Sequence, residues 1–505
     1  MENSLNTQKS NFLTQGVLAH SRVTPEKKSV PLGNTRKECA TLPLKSEKKA
    51  VLKDDVSKRN QSFRLQKISA DSLKNVKFNK IKTEKDVGVC SCCKTRNGSG
   101  KAIAVKYNQN IGKAFYSNLF RCNSVWLCPI CARRISEFRR DELLTVSEKW
   151  QSGDYFNYAT RFDSEIDLDE SPFENKNSIF LATFTVRHKR SDSLKDVLFA
   201  LKENFKKLVR NRAGRKLFAK YGIAHNVKSL EVTFGNSSGW HPHYHVLFYG
   251  FYALDKEQMA EFQNELAELW MNGFDGDFAQ FKPSRKHGVD IADGSFASSY
   301  INKFGEQVPC RKLGEKVDLE MTKSHMKKAR ENDRFTPFEM LEYFDDLPYL
   351  KQKYIEYAQI FFGTAQLRYS KYFKNIMKIV DLNDEQVLDE MDSQEELEHQ
   401  ELFNVNKSLF DILYINDLRG EFLAMIELDI KKDGLASDLK NTNRLVKSVI
   451  GNVFPKLEIA LNKTDPSDEN RITRIKERIV SCISLLQNPL ILSGGQGGES
   501  PLLTI

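Results

Sequence analysis

The spacing of apolar residues along this chain alternates between the period of a strand and the period of a helix. Residues 179–187, Ile-Phe-Leu-Ala-Thr-Phe-Thr-Val-Arg, are β-branched and aromatic, as a central strand should be. In 193–219, Leu194, Val197, Leu198, Leu201, Phe205 and Leu208 recur at helical spacing and predict an amphipathic helix. Strand character returns in 227–234 and 242–249, and Gly235-Asn-Ser-Ser-Gly239 between them is a turn signal. Helical patterns follow at 254–270, 337–344, 349–364 and 369–380, with a short one at 295–305 and an earlier one at 133–149. The expected fold class is α+β: a central antiparallel sheet with flanking helices, a small cysteine-bearing module before it and a helical C-terminal region after it.

Composition sets the boundaries. Residues 1–85 are polar, Lys-rich and poor in aromatics, and read as a basic, mostly disordered arm. The cysteine-rich module and its helix take 86–150, the core 151–320, a helical extension 321–380 and a helical region without assigned role 381–505. No internal repeat appears. The 505 residues are 40% hydrophobic and 29% charged, ordinary for a soluble protein of several domains. A net charge of +10 suits a nucleic-acid partner without requiring one. No stretch is long and apolar enough to span a membrane, and the N-terminus lacks an apolar signal core, so a cytoplasmic protein without a membrane partner is expected.

Candidate chemistry concentrates in Gly239-Trp-His-Pro-His-Tyr-His-Val-Leu-Phe-Tyr-Gly250, which holds three of the nine histidines at alternating positions. On a strand, His241, His243 and His245 share one face. If the flanking strands pair across 235–239, Glu231 falls opposite 243 or 245 on that face. Two imidazoles and a carboxylate leave coordination positions open and suit Mg²⁺ or Mn²⁺. Downstream, Tyr300 and Lys303 share a helical face at i, i+3, a phenol and a cation beside it. Two C-x-x-C pairs, Cys90–Cys93 and Cys128–Cys131, suit a structural Zn²⁺, with Cys92 and Cys122 as substitutes. Arg133, Arg134, Arg139 and Arg140 lie beside that module, either to grip DNA phosphates or as a solvated helix face.

Taken in order, Phe180-Leu-Ala-Thr-Phe-Thr-Val-Arg-His188, Leu230-Glu-Val-Thr-Phe234, the histidine strand and Tyr300-Ile-Asn-Lys-Phe304 resemble the rolling-circle plasmid replication initiator (Rep) family of the HUH endonuclease superfamily. Trp126-Leu-Cys-Pro-Ile-Cys-Ala-Arg-Arg134 and Gly363-Thr-Ala-Gln-Leu-Arg-Tyr-Ser-Lys371 extend the resemblance over about 90–371. The resemblance implies a small antiparallel sheet with helices on one side and the metal site on the exposed face. It implies His243, His245 and Glu231 as ligands of the catalytic ion, Tyr300 as nicking nucleophile and Lys303 as its neighbour, with His241 in the motif but without an assigned role.

The implied activity is that of a metal-dependent endonuclease and strand transferase. It binds a plasmid double-strand origin, nicks one strand through a 5′-phosphotyrosyl intermediate and rejoins it at termination. Single-stranded DNA would lie in a basic groove over the sheet and stack on Trp240 or Tyr244. Where some initiators carry a second tyrosine or a glutamate, this chain has Phe304 and Phe296, which leaves Asp293 or Glu306 as candidates for the closing step. Without a phosphate-binding G-x-x-x-x-G-K loop, unwinding calls for a host helicase, and dimerisation stays open. Transposases and relaxases use the same chemistry, though relaxases place the tyrosine N-terminally. A zinc-containing DNA-binding regulator without catalysis is the non-enzymatic alternative.

Overall fold

Eleven residues of strand β3 (Glu174–Phe184) lie at the heart of a six-stranded sheet, in a computed structural model that describes residues 45–78, 88–155, 174–293, 334–433 and scattered positions between 447 and 482. The other strands of the sheet are β4 (Ile223–Gly235), β5 (Gly239–Ala253), β6 (Val289–Asp293), β7 (Arg334–Phe335) and β8 (Leu367–Tyr369). The order is β6-β3-β5-β4-β7, with β8 also on β4, and every pairing is antiparallel. A second, three-stranded sheet joins β1 (Ala104–Asn108), β2 (Lys113–Ser117) and β9 (His399–Asn404) in the order β2-β1-β9.

The β4–β5 hairpin turns through Asn236, Ser237 and Ser238, with Gly235 opposite Gly239. Gly239 is obligatory there. Its φ is +78°, and a Cβ would stand 2.8 Å from the Cα of Arg190 and 2.9 Å from the carbonyl of Lys189.

One face of the large sheet is covered by α3 (Leu194–Arg210), α4 (Arg212–Lys220) and α5 (Lys256–Asn272). The single helix expected over 193–219 is two. Asn211 ends α3 in extended backbone, and its side chain accepts from the Gly214 amide to start α4. Helix α5 begins at a capping box between Asp255 and Gln258. Phe184 lies edge-on to Phe205 at 5.4 Å and to Trp270 at 4.9 Å, joining sheet to helices. Truncating such a ring to alanine costs about 3–5 kcal/mol.

The opposite face is covered at one end by α2 (Pro129–Ser152), whose Leu143, Val146 and Trp150 pack on Ile179, Val227, Leu247 and Tyr249. Phe373 joins this cluster from a short helix, Phe373–Ile376. The continuous helix expected over 369–380 is replaced by β8 and that single turn. Both pack against β4, and Phe373 stacks on the buried His225, so tertiary contacts override the local helical pattern.

At both ends of the chain the structure shows packing that spans the sequence. Within 1–85, read from the sequence as mostly disordered, a helix α1 occupies Lys45–Leu73, and its Phe63, Leu65, Ala70 and Leu73 are buried. Within 381–505, β9 pairs with β1 in the cysteine-bearing region, and Arg419 is fully buried, donating to the carbonyls of Phe63 and Cys93. These are long-range partnerships that leave no local periodicity to read. By contact, Leu52–Ile505 forms one unit and Met1–Val51 another. No described helix is long and apolar enough to cross a membrane.

Candidate metal centres

Hairpin register assembles the first centre. Position 235 pairs with 239, so Glu231 falls directly opposite His243, Thr233 opposite His241 and Ser229 opposite His245. All three histidines share one face with Glu231, beyond the end that α2 covers. The Glu231 Oε2 lies 3.7 Å from His243 Nε2 and 3.3 Å from His245 Nε2. Glu231 and His245 are buried and His243 is partly so. With metal–ligand bonds near 2.1 Å, neighbouring ligands stand about 3.0 Å apart in an octahedron and about 3.4 Å apart in a tetrahedron. The observed 3.3 Å matches the tetrahedral spacing and 3.7 Å is somewhat wider, so the group could close on a divalent cation.

The neighbouring strand orients one ligand. Thr183 of β3 lies opposite His245, and its hydroxyl is 3.1 Å from His245 Nδ1. With Nδ1–H donated to Thr183, the lone pair of Nε2 points to Glu231, as metal-binding histidines are usually held. The same row ends on β6 at Asp290, opposite Thr183 and exposed, a carboxylate on this face that the sequence pattern did not single out.

His241 stands apart from the ligand set. Its Nδ1 is 2.8 Å from Nε2 of His188, whose Nδ1 is 2.9 Å from the Ser238 carbonyl. His188 donates to that carbonyl, so His241 donates to His188. Burial pushes His241 down to about 2 and lowers His188 also, which keeps both imidazoles neutral. The two histidines tie β5 to the segment that follows β3.

Four thiols make the second centre, and they are Cys92, Cys122, Cys128 and Cys131. Cys128 and Cys131 were expected, but Cys90 and Cys93 are replaced by Cys92 and Cys122. Cys90 donates instead to the Ala70 carbonyl, and Cys93 accepts from Arg121 at 3.3 Å. The chain turns tightly through 88–94, so Cys92 and not its neighbours meets Cys128 at 3.6 Å and Cys131 at 3.5 Å. Cys122 lies 3.8 Å from Cys131. Tetrahedral Zn–S bonds of 2.3 Å put sulfurs about 3.8 Å apart, so the four fit Zn²⁺. A hydrogen bond from Cys122, joined by those of Cys128 and Cys92, holds the Cys131 thiol well below its ordinary value. A thiolate is the form that binds metal.

Several other expected residues fall elsewhere. Trp240 and Tyr244 are buried, so neither offers a ring to a base. Tyr244 faces the helices, where Lys228 lies over it at 4.7 Å. The arginines of α2 each have an acidic partner within the chain: Arg133 with Glu137 at the surface, Arg134 with Asp392, Arg139 with Glu142 and Asp384, and Arg140 with Asp141. Asp293 ends β6 opposite Phe180. Tyr300, Lys303, Phe296, Phe304 and Glu306 lie outside the described residues.

These centres sit in a chain with distant relatives. It is 23% identical over 283 residues to a protein named Protein rep from Streptomyces lividans, covering 47% of this chain and 56% of that one. It is 24% identical over 161 residues to a protein named Neomycin resistance protein from Streptomyces cyanogenus, covering 27% of this chain and 32% of that one. The chain thus spans between a third and just over half of the curated relatives it matches. No family model matches the sequence, and no solved structure matches it. The class defined by fold and sites is a mixed α/β protein with antiparallel sheets, a Glu-His-His group and a four-cysteine group that can each hold a metal ion.

Proposed function

We propose that this protein initiates plasmid replication by nicking one DNA strand. The observation that carries the reading is the Glu231–His243–His245 group on an antiparallel sheet, three ligands where a divalent ion takes more. The similarity to Protein rep supports it. A divalent ion, Mg²⁺ or Mn²⁺, held by these three side chains would withdraw charge from a scissile phosphate.

The nucleophile in this reading is Tyr300, with Lys303 three residues on to favour the phenolate. The Tyr300 oxygen attacks phosphorus, a Tyr–O–P bond forms and the P–O3′ bond breaks. The phenolic proton passes to solvent and the departing 3′-oxygen takes one up. Attack by a 3′-hydroxyl on the phosphotyrosine reverses the exchange and rejoins the strand. The four-cysteine group, with Zn²⁺, would staple α2 to the segment around Cys92 and Cys122. DNA is the partner, as origin duplex and as single strand, a host helicase supplies unwinding, and the cytoplasm is the place of action.

The test is a covalent adduct. Incubated with Mn²⁺ and single-stranded origin oligonucleotides, the protein should gain the mass of the 5′-phosphorylated product. Tyr300→Phe and the His243→Ala/His245→Ala pair should gain none. Duplex binding without an adduct under any divalent ion would point to a non-catalytic zinc-containing regulator instead.

A further inference from the structure

A cleft of about 1670 Å³ opens between the cysteine module and the chain from Phe362 to Gln386. It exceeds the roughly 300–1,000 Å³ of small-molecule sites and suits a polymer. Cys122 and Trp126 stand on one wall, and its floor includes Thr364 to Lys371. That floor contains β8, where Leu367 pairs with Ser229, and Ser229 in turn lies opposite His245. The β8 backbone therefore lies two strand spacings, about 10 Å, from the β5 backbone at His245.

Charge and aromatic exposure point to its occupant. Asp381 and Asp384, on the far wall, are bound to Lys374 at 3.0 Å and Arg139 at 3.3 Å. Arg368 and Lys371 are exposed and form no ion pair among the described residues. Tyr372 is 63% exposed, among the most exposed large apolar or aromatic side chains described. Its φ of +66° is a left-handed conformation that bulky residues rarely adopt. Lys371 lies over one face of the ring at 4.4 Å.

We propose that this cleft carries single-stranded DNA to the metal-bearing sheet, with Arg368 and Lys371 on the phosphates and a base stacked on Tyr372. Stacked aromatics in a basic channel are how proteins hold single strands without reading sequence. A duplex offers no free base face to such a ring. The choice of DNA rests on the initiator reading above, and the location rests on the cleft itself.

The test is fluorescence anisotropy of the full chain with labelled oligo-dT of roughly 15 nucleotides, titrated with salt and without added divalent ion. Tyr372→Ala should weaken binding roughly tenfold, with Tyr372→Phe near wild type. Arg368→Ala/Lys371→Ala should flatten the slope of log affinity against log salt by about 1.4, at 0.7 per phosphate contact. Lys216→Ala, exposed on α4, should change neither. Wild-type affinity and slope in both cleft variants would overturn the proposal. Equal losses on a duplex of the same length, or tighter binding of oligouridine than of oligo-dT, would overturn the assignment to single-stranded DNA. A homopolymer carries no origin, so failure to nick leaves this result untouched. Conversely, His243→Ala/His245→Ala should still bind oligo-dT. A loss there as large as in the cleft variants would place the strand elsewhere.

Discussion

Glu231 and His243 stand directly opposite each other across the β4–β5 ladder, and the Glu231 carboxylate also reaches 3.3 Å from Nε2 of His245. One acid therefore serves two imidazoles on a neighbouring strand. Replacing it by Glu231→Gln keeps the shape and removes the charge. Mn²⁺ affinity, by calorimetry, should fall at least about tenfold, equivalent to about 1.4 kcal/mol. Mn²⁺ at about 100 times its Kd should stabilise the parent by about 2.7 kcal/mol. That gain should vanish in His243→Ala/His245→Ala, and its survival would move the metal elsewhere.

Thr183 acts on the same centre through His245. The substitution Thr183→Val is nearly isosteric but removes the hydroxyl 3.1 Å from His245 Nδ1. Loss of such a partner typically lowers metal affinity by about 10–100-fold. The fold should be kept, because the side chain lies at the end of β3 and not within the ring cluster. Unchanged Mn²⁺ affinity in Thr183→Val would show that the hydroxyl does not orient the ligand.

The hairpin explains why Glu231 was legible in the sequence. Its turn residues announce themselves, Gly235 pairs with Gly239, and antiparallel pairing then dictates every opposite position back to 231 and 243. Helices at 254–270 and 349–364 were readable for a similar reason, since each carries its apolar stripe within a few turns. Thiol partnership has no such rule. Cys90-x-x-Cys93 looks like a ligand pair, yet the tight turn there aims Cys92 at Cys128 and sends Cys90 toward Ala70. Trp240 and Tyr244 were misread because alternation identifies a face without saying which face the helices cover. For β9 and Arg419 the partners lie some three hundred residues away in the chain, beyond any local pattern.

His225 predicts a pH dependence of stability. It is buried, stacks on Phe373 at 4.5 Å, and burial pushes it down from 6.5 to about 4. Below pH 6.5 the unfolded chain takes up a proton that the native ring refuses. Stability is therefore full above pH 6.5 and declines as pH falls toward 4, by about 1.4 kcal/mol per unit from this group. His225→Phe should remove that part of the slope in urea titrations between pH 6.5 and 4.5. The variant forfeits the 3.2 Å contact with Ser370, so some stability is lost at every pH. An unchanged slope would show that His225 is protonated in the folded protein.

The thiol geometry separates two possible zinc sets by a direct count. Cys92 and Cys122 hold the positions near Cys128 and Cys131, whereas Cys90 is bonded to a carbonyl of α1. Cys92→Ser and Cys122→Ser should each lower bound zinc well below one per chain in purified protein, measured by atomic absorption. A hydroxyl is a poor substitute for a thiolate at Zn²⁺. Cys90→Ser should retain one zinc per chain. Structural zinc supplies folding energy directly, so the two depleted variants should also unfold at lower temperature. Cys93→Ser is the informative intermediate. Its sulfur lies 3.7 Å from that of Cys92 but accepts from Arg121, so the variant should keep zinc and lose only that contact. Zinc loss in Cys90→Ser and Cys93→Ser with retention in Cys92→Ser and Cys122→Ser would restore the set that the C-x-x-C spacing suggested.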